Sequence, residues 1–245
     1  MFIILWLTGL LLSVYISLYV IKKSREIGFT FLCVILTAYV LISNILTPRL
    51  TLIDLGFTRL MVVTGSIIWP FTAQISDMIN EVYGKKMTIL AAVFAYAVNL
   101  LFVLFVLMAN ETSAVWDENM ENLWKTYFLP SGRVFLASSI SYALCQLIDI
   151  NVFSYYKEKY REVEDRSKNG RIIGFCSLRS ILSDTINMIC DAVVFSIIAF
   201  AFVLPLDSML ELIVSSIIFK VMLSVIDTPL FALFRIKIKN IYRSK

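Results

Sequence analysis

The sequence contains no histidine. The side chain that ordinarily titrates near neutral pH is therefore missing, so proton chemistry would have to run on carboxylates, and imidazole zinc sites are excluded. Cysteine offers no substitute. Cys33, Cys145, Cys176 and Cys190 stand singly in apolar runs without C-x-x-C spacing, which reads as small buried hydrophobes and not as ligands or a redox pair. Charge is scarce as well, at 16% of 245 residues. No metal or cofactor is expected.

Apolar surface is what the chain has in excess. With 59% hydrophobic residues and a mean hydropathy of +0.83, it carries more than a soluble domain of this length can bury, so it reads as a polytopic membrane protein. The net charge of +4 comes from basic residues gathered in short segments beside apolar runs, as in cytoplasmic loops. The lipid bilayer, not nucleic acid, is the expected partner.

Residues 1–21 form an apolar run with no basic residue before it and no small-residue cleavage site. Lys22, Lys23 and Arg25 follow, which predicts a retained anchor with its N-terminus outside. Further spans are expected at about 28–46, 57–86, 87–108, 133–153, 172–204 and 211–234. The sixth is too long for one perpendicular span, which predicts a tilted, broken or partly emergent helix. The acidic loop 110–129, with Trp116 and Trp124, predicts an interfacial helix, and the mixed-charge stretch 157–171 a cytoplasmic loop. The fold expected is an all-α integral membrane protein of about seven transmembrane helices, with the C-terminus cytoplasmic. Its parts are an N-terminal extra span with a basic turn (1–27), a six-helix core (28–235) and a basic tail (236–245). Spans two to four and five to seven enter from opposite sides, which permits an inverted repeat.

Polar side chains fall in stripes at helical spacing. Gln74, Asp77 and Glu81 share one face within IWPFTAQISDMINEVYGKK, and Tyr142, Gln146 and Asp149 share another. Ser180, Asp184, Asn187 and Asp191 follow, beside Arg179, and then Lys220, Ser224 and Asp227. Charge inside hydrocarbon marks function by default, so these stripes should line a cavity. Counted at roughly 1.5 Å per residue from the outer ends, Asp77, Asp149, Asp184 and Asp227 share one depth near 25 Å, with Asp191 and Lys220 higher and placed to pair. Each residue also has a plainer reading. Asp77 and Glu81 would pair with Lys85 or Lys86, Arg179 would snorkel to phosphates, Lys220 and Asp191 would lock two helices, and Gln146, Asn187 and Tyr142 would serve as interhelical glue.

Four segments, WPFTAQISDMINEVYG, SYALCQLIDINVFSYY, LRSILSDTINMICDAVVFSIIAF and FKVMLSVIDTPLFALF, resemble in order and spacing the queuosine precursor transporter family, also called the vitamin uptake transporter family. The resemblance spans roughly residues 29–235. It implies an importer in the plasma or inner membrane for 7-deazaguanines such as the 7-cyano and 7-aminomethyl compounds, by secondary or facilitated transport and without enzymatic chemistry. On the family pattern the matching residues are Asp77, Glu81, Gln146, Asp149 and Asp191. Asn187 is a further polar contact, and Trp69, Phe71 and Tyr142 are aromatic side chains able to stack on a small heteroaromatic substrate. Dependence on an ATPase partner, as a substrate-capturing component, and self-association into a homo-oligomer stay open. An intramembrane aspartyl hydrolase is the more distant alternative, and the chain lacks the G-x-G-D signature for it.

Overall fold

The structure, a computed structural model, describes residues 2–54, 56, 59–113, 115, 117–128, 131–166 and 169–243. Helix α1 (Phe2–Lys23) stops at Ser24, whose extended backbone and hydroxyl cap the next helix by accepting from Ile27 N at 3.4 Å. Helix α2 (Arg25–Leu46) is followed by an antiparallel hairpin, β1 (Leu50–Asp54) and β2 (Arg59–Val63), in which Leu50 faces Val63 and Asp54 faces Arg59. A 3-10 turn (Thr64–Ile67) leads into α3 (Trp69–Tyr83). Five helices complete the chain: α4 (Lys85–Asn110), α5 (Glu118–Phe128), α6 (Ser131–Arg166), α7 (Asn169–Phe200) and α8 (Leu206–Arg243).

Six helices among the described residues are long and apolar enough to cross a membrane: α1, α2, α4, α6, α7 and α8. Helix α3 is the exception. The expected third span from about residue 57 is instead the second hairpin strand, a 3-10 turn and a 15-residue helix about 22 Å long, short of a hydrocarbon layer. Pro70 sets its first turn, where no amide hydrogen is needed, and Gly84 ends it at φ 83°. Thirteen of its residues, Pro70 to Val82, are buried. Non-helical backbone and polar side chains are tolerated at membrane depth when protein surrounds them, and α3 is enclosed in that way.

Two other boundaries differ from expectation. The mixed-charge stretch expected as a loop is helical through Arg166, because straight-chain Lys, Glu and Arg favour helix and nothing breaks the run. Helix α7 is one continuous helix of 32 residues and not a broken one. In the acidic loop a helix does form, α5, and Trp124 Nε1 donates to Asn110 Oδ1 at 2.8 Å; Trp116 lies outside the described residues.

Lipid is the solvent for the outer faces. On α4, Val93, Phe94, Leu101, Leu104 and Phe105 are exposed, whereas Ala91, Ala95 and Asn99 face inward. The largest apolar core joins α1, α2, α3, α4, α6 and α8 through residues such as Leu36, Met78, Ala95, Phe153 and Phe231. Helix α7 packs on α6 and on α8 more extensively than any other two elements pack on each other.

Candidate transport site

Three polar layers cross the interior along α3, α6, α7 and α8. Their pairings define the helix directions. Residue numbers rise from the first layer to the third on α3, α6 and α8 and fall on α7, so α7 runs antiparallel to the other three.

Asp191 is the hub of the first layer. Its Oδ1 accepts from Ser141 Oγ at 2.5 Å, and its Oδ2 accepts from Trp69 Nε1 at 2.7 Å and from Lys220 Nζ. The ammonium of Lys220 also lies 5.4 Å from the Trp69 ring centroid. Trp69 stacks on Tyr142 with centroids 6.3 Å apart and planes at 21°, and the buried Tyr142 hydroxyl has no hydrogen-bond partner. Toward α2 and α4 the layer continues through Asn44, which donates to Asn99 and accepts from Ser138 Oγ at 2.5 Å, while Asn99 donates to Ser139 at 3.0 Å.

A cavity with about 590 Å³ of atom-free space, counted to its open mouth, lies in this layer, and Asn44, Ser66, Trp69, Tyr142, Asp191 and Lys220 are on its wall. The 3-10 turn closes one side. Its Gly65 packs so tightly on the end of α2 that a Cβ there would lie 2.3 Å from Thr47 Oγ1 and 2.6 Å from the Ser43 carbonyl.

The second layer holds Asp77, Asp149, Asp184 and Asp227, one from each of the four helices and all buried. Asp184 stands close enough to each of the other three for their charges to repel. Ser180 Oγ lies 3.0 Å from Asp77 and 3.4 Å from Asp184, Ser224 donates to Asp184 at 2.6 Å, and Gln74 donates to Asp227. Gln146 Nε2 donates to Ser76 at 2.7 Å. Ser183 approaches Asp149, yet its hydroxyl donates to the Ser180 carbonyl at 3.2 Å, and among the described residues neither Asp149 oxygen has a hydrogen-bond donor. Among the described residues no three His, Cys, Asp or Glu side chains converge as a metal cage would.

The third layer is an ion-pair lock. Glu81 accepts from Arg179 Nη2 at 2.5 Å and lies 2.9 Å from Arg235 Nε, while Lys157 donates to the carbonyls of Asn80 and Glu81. Arg179 is fully buried, with its guanidinium over the rings of Phe153 at 4.9 Å and Phe231 at 5.8 Å. It does not snorkel. Glu81 is likewise drawn away from Lys85 and Lys86, which are exposed. A guanidinium fork packed against two aromatic rings holds one carboxylate far more rigidly than a lysine at a helix end would.

Of the residues singled out from the sequence, the structure brings Trp69, Tyr142, Asp191 and Lys220 to one cavity. Gln146, Asp149, Asn187 and Asp77 stand in the layer beyond it, and Glu81 in the lock. Phe71 is a correction. It faces α1, edge-on to Trp6 at 5.7 Å and to Tyr39 at 5.3 Å, because residues two apart on a helix point about 200° apart and Trp69 already faces the cavity. Sequence reasoning missed Ser141, Ser138, Lys157 and Arg235 as members of these layers. Ser141 and Ser138 were legible only as small residues on the stripe of α6.

Apolar helices around a buried polar cavity, with two further layers of charge beyond it, define a membrane transport protein. The family model described as "Putative vitamin uptake transporter" matches residues 63–234, more than half of the chain. The chain belongs to that family, and its class is that of membrane uptake transporters for vitamin-like solutes. The match begins at Val63, the last residue of β2, takes in α3, α4, α5, α6, α7 and most of α8, and leaves α1, α2 and β1 outside it. No curated protein and no solved structure matches the chain.

Proposed function

We propose that the cavity of the first layer binds a queuosine precursor, a 7-deazaguanine such as the 7-cyano or 7-aminomethyl compound, and that the protein imports it by secondary or facilitated transport. The observation that carries this reading is a carboxylate fixed on the cavity wall beside an aromatic pair. A guanine-like edge presents adjacent N–H donors, and Asp191 retains acceptor capacity on Oδ1 after taking Ser141. Trp69 and Tyr142 offer π faces to the planar ring, and the unpartnered Tyr142 hydroxyl supplies one more polar contact. Asp191 serves better than Asp149 here, since Asp191 lies on the cavity wall and Asp149 does not.

The test is thermal stabilisation of the purified full chain in detergent. A ligand that binds only the folded state at about a hundred times its Kd raises stability by roughly 2.7 kcal/mol, so 7-cyano-7-deazaguanine or 7-aminomethyl-7-deazaguanine should shift the melt in a concentration-dependent way. Guanine and unrelated vitamins should shift it less. Protein that is folded and monodisperse yet indifferent to both deazaguanines would overturn the substrate assignment.

A further inference from the structure

The second layer contains a set of oxygens that the cavity does not use. Helices α6 and α7 are antiparallel, and their register is pinned by Ser141 to Asp191 at one level and by Arg133 to the Ile198 carbonyl at another. Continuing that register toward the lock sets Gln146 opposite Asn187 and Asp149 opposite Asp184. On each helix the two residues are three apart and share a face. Among the described residues five of their oxygens have no hydrogen-bond partner: Gln146 Oε1, both carboxylate oxygens of Asp149, Asp184 Oδ1 and Asn187 Oδ1. All four side chains are at most 3% exposed.

That pattern is rare in a folded interior, where buried polar atoms find partners at a high rate. All five atoms are acceptors, and two of the groups are carboxylates. Rotating the Ser183 hydroxyl toward Asp149 would serve one oxygen and leave four. Waters could donate to the amide carbonyls but would bring no charge to offset the acids, and a proton on one carboxylate could donate to a single neighbouring oxygen and would leave at least one amide carbonyl as it is. A hard cation meets the whole set, because oxygen is its preferred ligand and it needs no hydrogen-bond geometry. Asp77 stands near both acids but accepts from Ser180, and among the described residues no three acids converge as a divalent site would require, so two carboxylates with neutral carbonyls lack its charge density.

We propose that Gln146 and Asp149 of α6 with Asp184 and Asn187 of α7 form a binding site for a monovalent cation, Na⁺, one level beyond the solute cavity. The site joins to the cavity through short covalent paths: Asp191 is one turn beyond Asn187 on α7, and Tyr142 one turn before Gln146 on α6. Cation binding would set the spacing of the two helices that carry the cavity wall. A sodium gradient then has a place to act on uptake.

The deciding measurement is equilibrium binding of ²²Na⁺ to the purified full chain with no organic solute present, so that it does not depend on which base is carried. Binding should saturate, be displaced by unlabelled Na⁺, and resist an equal concentration of choline. Asp149→Asn and Asp184→Asn should each lower bound ²²Na⁺ at least tenfold, Gln146→Met should weaken it less, and Asp207→Asn, an exposed acid on α8, should leave it unchanged. Folded wild-type protein that shows no saturable ²²Na⁺ binding overturns the proposal. So does full binding in folded Gln146→Met together with either folded aspartate variant. In proteoliposomes given the solute that the melt identifies from outside, uptake driven by a pH gradient and indifferent to Na⁺ would assign the layer to protons and overturn it equally.

Discussion

Asp191 and Asp149 belong to the same packed pair of helices, about 10 Å apart along the bundle, and their surroundings are opposite. Asp191 accepts from an ammonium, an indole and a hydroxyl, while Asp149 accepts from nothing. A carboxylate with three donors is a fixed part of the wall, since moving it would strand Lys220 in a medium that charges for every unpaired ion. A carboxylate with none has its coordination left over for something that arrives. Glu81 falls on the Asp191 side of this division, held by two arginines. The acids at both ends are held by cations, whereas in the middle Asp77, Asp184 and Asp227 accept only from neutral donors and Asp149 from none among the described residues.

The largest effect should come from breaking the fixed kind. Lys220→Met leaves Asp191 without its cation, and truncating one partner of a buried ion pair typically costs about 3–5 kcal/mol. Expected is a steep fall in the melting temperature in detergent or a loss of monodisperse protein on size exclusion. Adding Asp191→Asn to the same chain should restore most of the stability, because the stranded charge goes with it. A single variant as stable as the parent would show that the pair is not the anchor described here.

A smaller effect isolates the indole donor. Trp69→Phe keeps an aromatic face against Tyr142 and removes only the hydrogen bond to Asp191. A bond to a charged group is worth about 1.5–3 kcal/mol, although Lys220 and Ser141 would hold the carboxylate in part. The melt should drop by a fraction of the Lys220→Met shift. A drop as large as that of Lys220→Met would mean that Trp69 acts mainly through packing.

The stripes of acids were legible because helical periodicity is local. Spacing of three and four residues sufficed to set Asp77, Asp149, Asp184 and Asp227 inward, and counting rise per residue sufficed to bring them to one depth. Lateral neighbours were not legible. Glu81 shares a face with Asp77, but its partners are Arg179 and Arg235, 98 and 154 positions along the chain, and which helices sit side by side is a property of packing. The hairpin at 50–63 was missed for a related reason: two five-residue strands in an apolar context carry too short an alternation to outweigh a long hydrophobic run. Phe71 shows the opposite failure, since the helical geometry that places Trp69 toward the cavity already turns Phe71 away, and an aromatic beside a motif was read as part of it.

Asp149→Asn should have the smallest effect on stability and sharpens the comparison most. In sodium-free buffer the parent holds a buried carboxylate with no hydrogen bond, a costly arrangement in a low-dielectric interior. The amide is nearly isosteric, carries no charge, and brings two N–H donors to a level where the carbonyls of Gln146 and Asn187 lack partners. The melting temperature in choline buffer should therefore hold or rise, while the stabilisation that Na⁺ gives the parent should vanish. A structural acid would behave in the reverse way, losing several kcal/mol in either buffer, as Asp191 should when Lys220 is left in place. If Asp149→Asn falls like Lys220→Met, the middle acids are as fixed as those at the two ends, and the layer is a brace and not a vacancy for an ion.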